Sequence, residues 1–355
     1  MRTMSKACVL FTVISSLLFF GCVEVSDPPN YRQPGTPGSE DVAPEPTANG
    51  PAGSTARIPP RDTGSHGTDL SPVLLARAQN VQDLAVDSNH LYWTSFDAPT
   101  STGSVMMVVQ GEQVARTLST ATMPAGITSD KDYVYWADMG AGTIVRMSMT
   151  TGKQLRLASG LRSPFFVAEH GSYVYFTDIN ARTVNRVNKT GGNVTILAAD
   201  QDYPAAIAVG PNSDGTTELY WGNLGDSGTL MAMPLNGGSP RVLVSDASFS
   251  NGFVIDGSNI LWADTDARAV SLYSQQFGKS AILANQQYTV AGLASDTNTV
   301  YWITQYDGAI HTLSKVTGET RTLIAGQDTP DKLLVNDSHI YWADKEYGLV
   351  WSLAK

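Results

Sequence analysis

Tyr133-Val134-Tyr135-Trp136-Ala137-Asp138 is a run of aromatic and β-branched residues closed by a carboxylate, with turn-forming residues on both sides. Asp130-Lys131 lies before it, and Asp138 to Gly142 separates it from the next run, Thr143 to Ser148. Short apolar runs between Gly and Asp punctuation read as strands. Working outward gives a four-stranded unit: strand a, Ala125 to Ser129; strand b, Asp132 to Ala137; strand c, Thr143 to Ser148; and, after Thr151-Gly152, strand d, Gln154 to Ala158. Pro124 stands at the head of strand a, a position that needs no ladder hydrogen bond from it. Strand b hardly alternates between apolar and polar, the pattern of a sheet covered on both faces.

The unit recurs along the chain. Tyr92-Trp93, Tyr135-Trp136, Tyr175-Phe176, Tyr220-Trp221, Leu261-Trp262, Tyr301-Trp302 and Tyr341-Trp342 follow one another at intervals of 40 to 45 residues. A glycine turn comes after six of them, at Gly111, Gly152, Gly191-Gly192, Gly237-Gly238, Gly278 and Gly318, and the chain ends before the seventh. A period near 40 with several strands per unit is the mark of a β-propeller blade. The phase at the two ends fits a closed ring. Val73 to Ala76 reads as a lone strand d, and Leu349 to Leu353 as a strand c with no d after it. Together they complete one blade and remove two exposed edges. The expected fold is therefore all-β, a seven-bladed propeller over residues 72–355 whose last blade is closed by an N-terminal strand.

An Asp two residues after the Trp or Phe recurs as Asp138, Asp178, Asp264 and Asp344, with Asn223 close to it, in strings such as Tyr175-Phe176-Thr177-Asp178. This resembles the YWTD repeat of the low-density-lipoprotein-receptor class B propellers and their bacterial relatives. The resemblance implies that the four Asp residues are structural, holding backbone near the b–c turn and tying neighbouring blades. It also implies six blades, the usual number there, so a six-bladed ring is the alternative to the seven counted. Ser95 and Thr304 depart from the pattern in the first and sixth repeats.

The N-terminal part is of another kind. Arg2 and Lys6 precede a mainly apolar stretch from Ala7 to Gly21, too short for a comfortable membrane span and suited to a secretory signal. Leu18-Phe19-Phe20-Gly21-Cys22 resembles a bacterial lipobox, although Phe19 stands where Leu is usual. The expectation is a lipoprotein signal peptide over residues 1–21 and a lipidated Cys22; two or three acyl chains suffice for stable anchoring. Val23 follows in place of an inner-membrane retention Asp, which points to the outer membrane of the bacterial cell envelope. Residues 22–71 read as the lipidated Cys followed by a disordered linker, since Val23 to Ser71 holds nine of the chain's 18 prolines among many Gly, Ser and Thr.

Composition narrows the partners. The net charge is −10 and no Lys/Arg cluster occurs in the repeats, which argues against nucleic acid. The only cysteines are Cys8 and Cys22, so a disulfide framework is excluded. Gly278-Lys279-Ser280 resembles the end of a phosphate loop, but Tyr273 occupies the place of the required glycine. His66 falls in the linker, His90, His170 and His339 in separate a–b turns, and His311 on a strand c; they are too dispersed to share a metal. Asp87-Ser88-Asn89, Asp256-Gly257 and Asn336-Asp337-Ser338 read as turn chemistry and not as calcium loops. No metal, cofactor or catalytic residue is assigned, and a monomer is expected.

Two sets of candidate ligand-binding residues remain, both on the top face where the a strands begin. Asp83, Asn251, Asp331 and Lys332 are the polar residues at the channel mouth, a small binding cluster or an ion pair at the closure seam. Tyr203, Phe249, Tyr288, Tyr306 and Tyr347 lie in the d–a and b–c loops among Asp202, Gln286, Gln287, Gln305, Asp307, Gln327 and Asp328. Aromatics mixed with amides and carboxylates suit recognition of an envelope or extracellular protein or polysaccharide. The expected function is that of a membrane-tethered, non-catalytic binding protein; the alternative is a channel-mouth enzyme, a lyase or lactone hydrolase.

Overall fold

The computed structural model describes residues 71–355 apart from 79, 226, 227, 345 and 346, together with the backbone but not the side chains of 250 and 251. The stretches expected to form a signal peptide and a linker, with Cys22 and His66, lie outside the described residues.

Every regular element described is a strand, and the 28 strands form seven four-stranded antiparallel sheets. Six blades take their strands in chain order. The seventh has the order Val73–Arg77, Leu349–Ala354, His339–Asp344, Pro330–Val335, so the first strand of the repeat region completes the last blade. Its register pairs Val73 with Ser352 and Arg77 with Leu349, slipping once between Leu74 and Ala76. The ring is thus seven-bladed, and strand c ends within a residue of where the turn signals put it.

The inner wall consists of the a strands Val81–Val86, Pro124–Ser129, Pro164–His170, Pro204–Pro211, Phe249–Asp256, Val290–Ser295 and Pro330–Val335. Each touches the next, and the seventh touches the first. The aromatic pairs of the b strands lie between the sheets: Trp93, Trp136, Trp221, Trp302 and Trp342 are all buried. Tyr135, Ile144 and Leu157 of one blade form a single apolar cluster with Val167, Val174 and Phe176 of the next. Burial on both faces explains the missing alternation in strand b, since every side chain there meets a neighbouring sheet.

Two polar devices join blades at the lower face. Asp130 of an a–b turn accepts hydrogen bonds from Tyr135 Oη of its own blade (2.7 Å) and from Lys189 Nζ of the next (2.7 Å). Lys189 also holds Glu169 at 2.6 Å, and Lys355 reaches back from the chain end to Asp296 at 2.5 Å. The turn carboxylates Asp87 and Asp296 likewise accept from Tyr92 and Tyr301.

Close approach at the inner wall dictates two glycines. A Cβ on Gly292 would lie 2.7 Å from the Asp331 carbonyl and 2.8 Å from the Leu333 nitrogen; one on Gly126 would lie 2.6 Å from Phe166 Cα. Both obstacles are backbone of the next blade, so the sheets must part to admit a methyl group. Gly292→Ala is expected to cost about 1–3 kcal/mol, read as a lower urea midpoint with an unchanged slope.

Candidate functional site

Clamp carboxylates define the upper face, where strands a begin and the b–c and d–a loops gather. Asp178 Oδ1 accepts the Ser163 and Ala181 amides at 2.8 and 3.1 Å, and Oδ2 accepts the Arg162 amide at 2.9 Å. Asp138 repeats this with Met123, Ala141 and Thr122. One carboxylate therefore ties its b–c turn to the loop arriving from the preceding blade. Asp264 accepts from Trp262 Nε1 and the Ala267 amide. Asp344 has one described partner, Trp351 Nε1 at 3.0 Å, and its buried Oδ1 has none among the described residues. In blade 6, Thr304 donates instead to Asp307 Oδ1 at 2.5 Å and contacts His311 Nε2 at 2.8 Å.

At the channel mouth, Asp83 is half-buried and both its oxygens accept backbone amides: Oδ1 from Leu84 and Oδ2 from Ile127 of the next blade, each at 2.9 Å. Burial pushes its pKa up to about 6, against the opposing pull of those amides and of Lys332. Asp331 is buried, accepts from Gln305 Nε2 at 3.0 Å, and lies 3.7 Å from Lys332 Nζ. The structure thus brings Asp83, Asp331 and Lys332 together across the closure seam. The Asn251 side chain lies outside the described residues. The mouth of blades 2 to 4 is apolar, with Ala125, Phe165, Ile179 and Ala205 in one cluster.

Two opposed sets of carboxylates set the pH response. Burial raises Asp344, like Asp83, to about 6, with partial relief from Trp351. Such groups bind more protons folded than unfolded, so their contribution falls as pH rises from about 4 to 6. Asp296 is also pushed up by burial, but hydrogen bonds from Lys355, the Asn298 amide and Tyr301 outweigh this and hold it at about 2. Asp87 and Asp130 are lowered in the same sense. Their stabilisation is complete above about pH 4 and is lost as pH falls toward their folded values. Thermal unfolding between pH 3 and 8 is therefore expected to peak near pH 4–5. Asp344→Asn should flatten the decline above the peak, each raised carboxyl accounting for up to ~3 kcal/mol.

The loops above the mouth carry the exposed aromatics. Tyr306 is 82 %, Tyr347 59 %, Tyr288 55 % and Tyr203 46 % exposed. Tyr288, in the loop from blade 5 to 6, and Tyr306, in the b–c turn of blade 6, stand 5.9 Å apart at 44°. The Arg268 guanidinium lies over the Tyr288 ring at 5.1 Å. Sequence reasoning missed Arg268, whose backbone is its most telling feature. Its φ is +51°, and the matching turn positions in other blades hold Gly142, Gly308 and Gly348 at φ near +60°. Arg182 takes the same place in blade 3 at +59° and lies 3.7 Å from Asp202. A side chain in the left-handed region costs about 1–2 kcal/mol, which glycine avoids.

Three expectations for these loops are corrected. Phe249 is not an exposed loop residue: it opens an a strand, is 5 % exposed, and packs 6.0 Å from Trp262, beside the space left by Gly222. Gln287 and Gln327 are not free for a ligand through their carbonyl oxygens, which accept Trp302 Nε1 and Trp342 Nε1 at 2.9 and 3.1 Å. Gln201 does the same for Trp221. A buried indole N–H needs an acceptor, and the d–a loop supplies it.

The turn histidines are apart, with His90 on Asp87 and His339 on Ser338. No group of three or more His, Cys, Asp or Glu among the described residues is arranged to hold a metal ion.

No protein-family model and no curated protein matches the chain. Solved structures share its fold. The propeller of a nidogen/laminin complex matches at 19% identity and TM-score 0.51, over 64% of this chain and 91% of that one. Virginiamycin B lyase from Staphylococcus aureus matches at 12% identity and TM-score 0.63, over 81% and 99%. A streptogramin B lyase matches at 10% identity and TM-score 0.61, over 80% and 97%. At these identities the likeness establishes the propeller and nothing finer.

Proposed function

We propose that this chain is a non-catalytic recognition module, presented from a bacterial envelope by lipid on Cys22, that binds a protein or polysaccharide with its upper face. The observation that carries the reading is the Arg268–Tyr288–Tyr306 set. Two large aromatic rings stand in solvent beside an arginine held in the left-handed backbone region, at a turn position that three sister blades give to glycine and blade 3 to Arg182. Backbone strain at the cationic side chain favours a functional over a packing role, and Tyr and Arg dominate interface hot spots. Of the structural relatives, one comes from a protein–protein complex and two are lyases. A lyase needs an acid or base open to its substrate. In this chain the mouth carboxylates are engaged, Asp83 by two backbone amides and Asp331 by Gln305 and Lys332.

The test is co-sedimentation of the protein with envelope preparations of the producing cells. Tyr288→Ala/Tyr306→Ala is expected to bind at least tenfold more weakly with unchanged thermal unfolding, in keeping with the cost of losing hot-spot residues, ~2 kcal/mol or more. Arg268→Gly should weaken binding while the melting temperature holds or rises, since it relieves the left-handed backbone. Equal retention of the double variant and the parent would overturn the reading.

A further inference from the structure

Beside the tyrosine shelf, a groove of about 540 Å³ runs down the seam between the outer strands of blades 5 and 6. Asn285, Gln287, His311, Thr320, Arg321 and Thr322 supply its polar lining, and Gln287 is the residue before Tyr288 of the shelf. One wall of the groove, at His311, is backed by departures of blade 6 from the repeat. Thr304 replaces the clamp carboxylate, Asp307 returns a carboxylate to the turn, and His311 stands across the strand pair from Trp302 and stacks on it at 5.4 Å and 24°.

The hydrogen-bond directions fix the chemistry of this wall. Thr304 donates its proton to Asp307, so His311 Nε2–H donates to Thr304 Oγ1, and Nδ1 is left to accept from Thr322 Oγ1 at 3.2 Å. The imidazole is thereby held as one neutral tautomer, and burial lowers its pKa against the pull of Asp307. Arg321, which is exposed, is then the one full charge in the groove lining, amid hydroxyl and amide groups. On the shelf the nearest cation is Arg268. Aromatic rings in solvent offer flat apolar faces to the C–H side of a sugar ring. Hydroxyls and amides match sugar hydroxyls, and a guanidinium pairs with a carboxylate. A protein hot spot would instead call for an apolar, water-excluding pocket at this place.

We infer that the blade 5–6 seam binds an acidic oligosaccharide, with a sugar ring against Tyr306 and a carboxylate at Arg321. This rests on the upper-face reading and names its ligand. The full chain would be run in native gels containing pectate, alginate or hyaluronate, with neutral dextran as the reference. A net charge of −10 repels polyanions, so retardation there reports a site and not bulk attraction. Retardation is expected in at least one acidic polysaccharide and at least tenfold weaker in dextran. Arg321→Gln should abolish the preference for the acidic polymer, and Tyr306→Ala should abolish retardation altogether; Tyr306 is exposed, so this variant folds. Migration unaffected by all three acidic polymers, or retardation that Arg321→Gln leaves unchanged, overturns the inference. Treating the envelopes separates the two readings. If periodate leaves tyrosine-dependent co-sedimentation intact while protease abolishes it, the upper face binds a protein and the sugar inference alone fails.

Discussion

Without residues 72–78 the chain is expected to lose cooperative folding and to aggregate. Val73–Arg77 is the outer strand of blade 7, pairing along Leu349–Ala354. Leu75 is buried with Val81, Leu84 and Trp93 of blade 1 and Tyr341, Ala343 and Val350 of blade 7. Its removal leaves a long unpaired edge carrying Trp351, a template for pairing with another chain. It also uncovers the cluster that joins the first blade to the last. The total stability of a domain is about 5–15 kcal/mol, and losing a strand, its ladder and a shared cluster removes most of it. Size-exclusion chromatography and thermal unfolding of the shortened chain would read this. A monomer with the parental melting temperature would show that the ring holds without its clasp. Adding a peptide of residues 72–78 is expected to restore a cooperative transition.

Asp178→Ala is expected to be the most damaging single substitution on the upper face, lowering stability by about 4 kcal/mol. Three backbone amides, of Arg162, Ser163 and Ala181, lose one buried charged acceptor. Hydrogen bonds to charged groups contribute about 1.5–3 kcal/mol each, and stranded buried donors add their own penalty. Asp178→Asn keeps an acceptor oxygen and should recover about half the loss. Asp344 is the internal control. With one described partner and a pKa raised to about 6, its carboxylate is poorly compensated at pH 7. Asp344→Asn should therefore be neutral or stabilising at that pH. Urea titrations of the variants distinguish these cases by midpoint; equal losses at both positions would show that the clamp is uniform around the ring.

The fold was legible because its signal is repeated. The placing of Trp136 and its counterparts sets blade number and phase, and the unpaired strand signals at the two ends reveal the closure. Residues that break the repeat were harder to place. Phe249 reads as a loop aromatic because it follows Ser248 near a turn. It sits where four other blades have proline, and its burial rests on packing against Trp262 and the backbone at Gly222, which only the assembled sheets bring to it. Gln287 and Gln327 look like free amides until the buried indole each one serves is in view. Arg268 did leave a trace in the sequence: aligned turns hold Gly142, Gly308 and Gly348, and Arg268, like Arg182 in blade 3, puts a long side chain where glycine is the easier choice. That trace is conformational, and composition and charge carry no sign of it. The linkage of Lys189 to Asp130 joins residues 59 positions apart and depends on which turns the ring brings together.

The direction of the closing strand bears on how the molecule withstands tension. Val73 pairs with Ser352 near the lower face and Arg77 with Leu349 near the upper one. A downward pull at residue 72, with the ring held at its upper face, draws along the axis of this strand. Its ladder is then loaded in shear, all bonds sharing the force, and does not unzip one bond at a time. A clasp oriented the other way would peel. The strand that shuts the ring is thus also the one that resists a pull applied where the repeats begin.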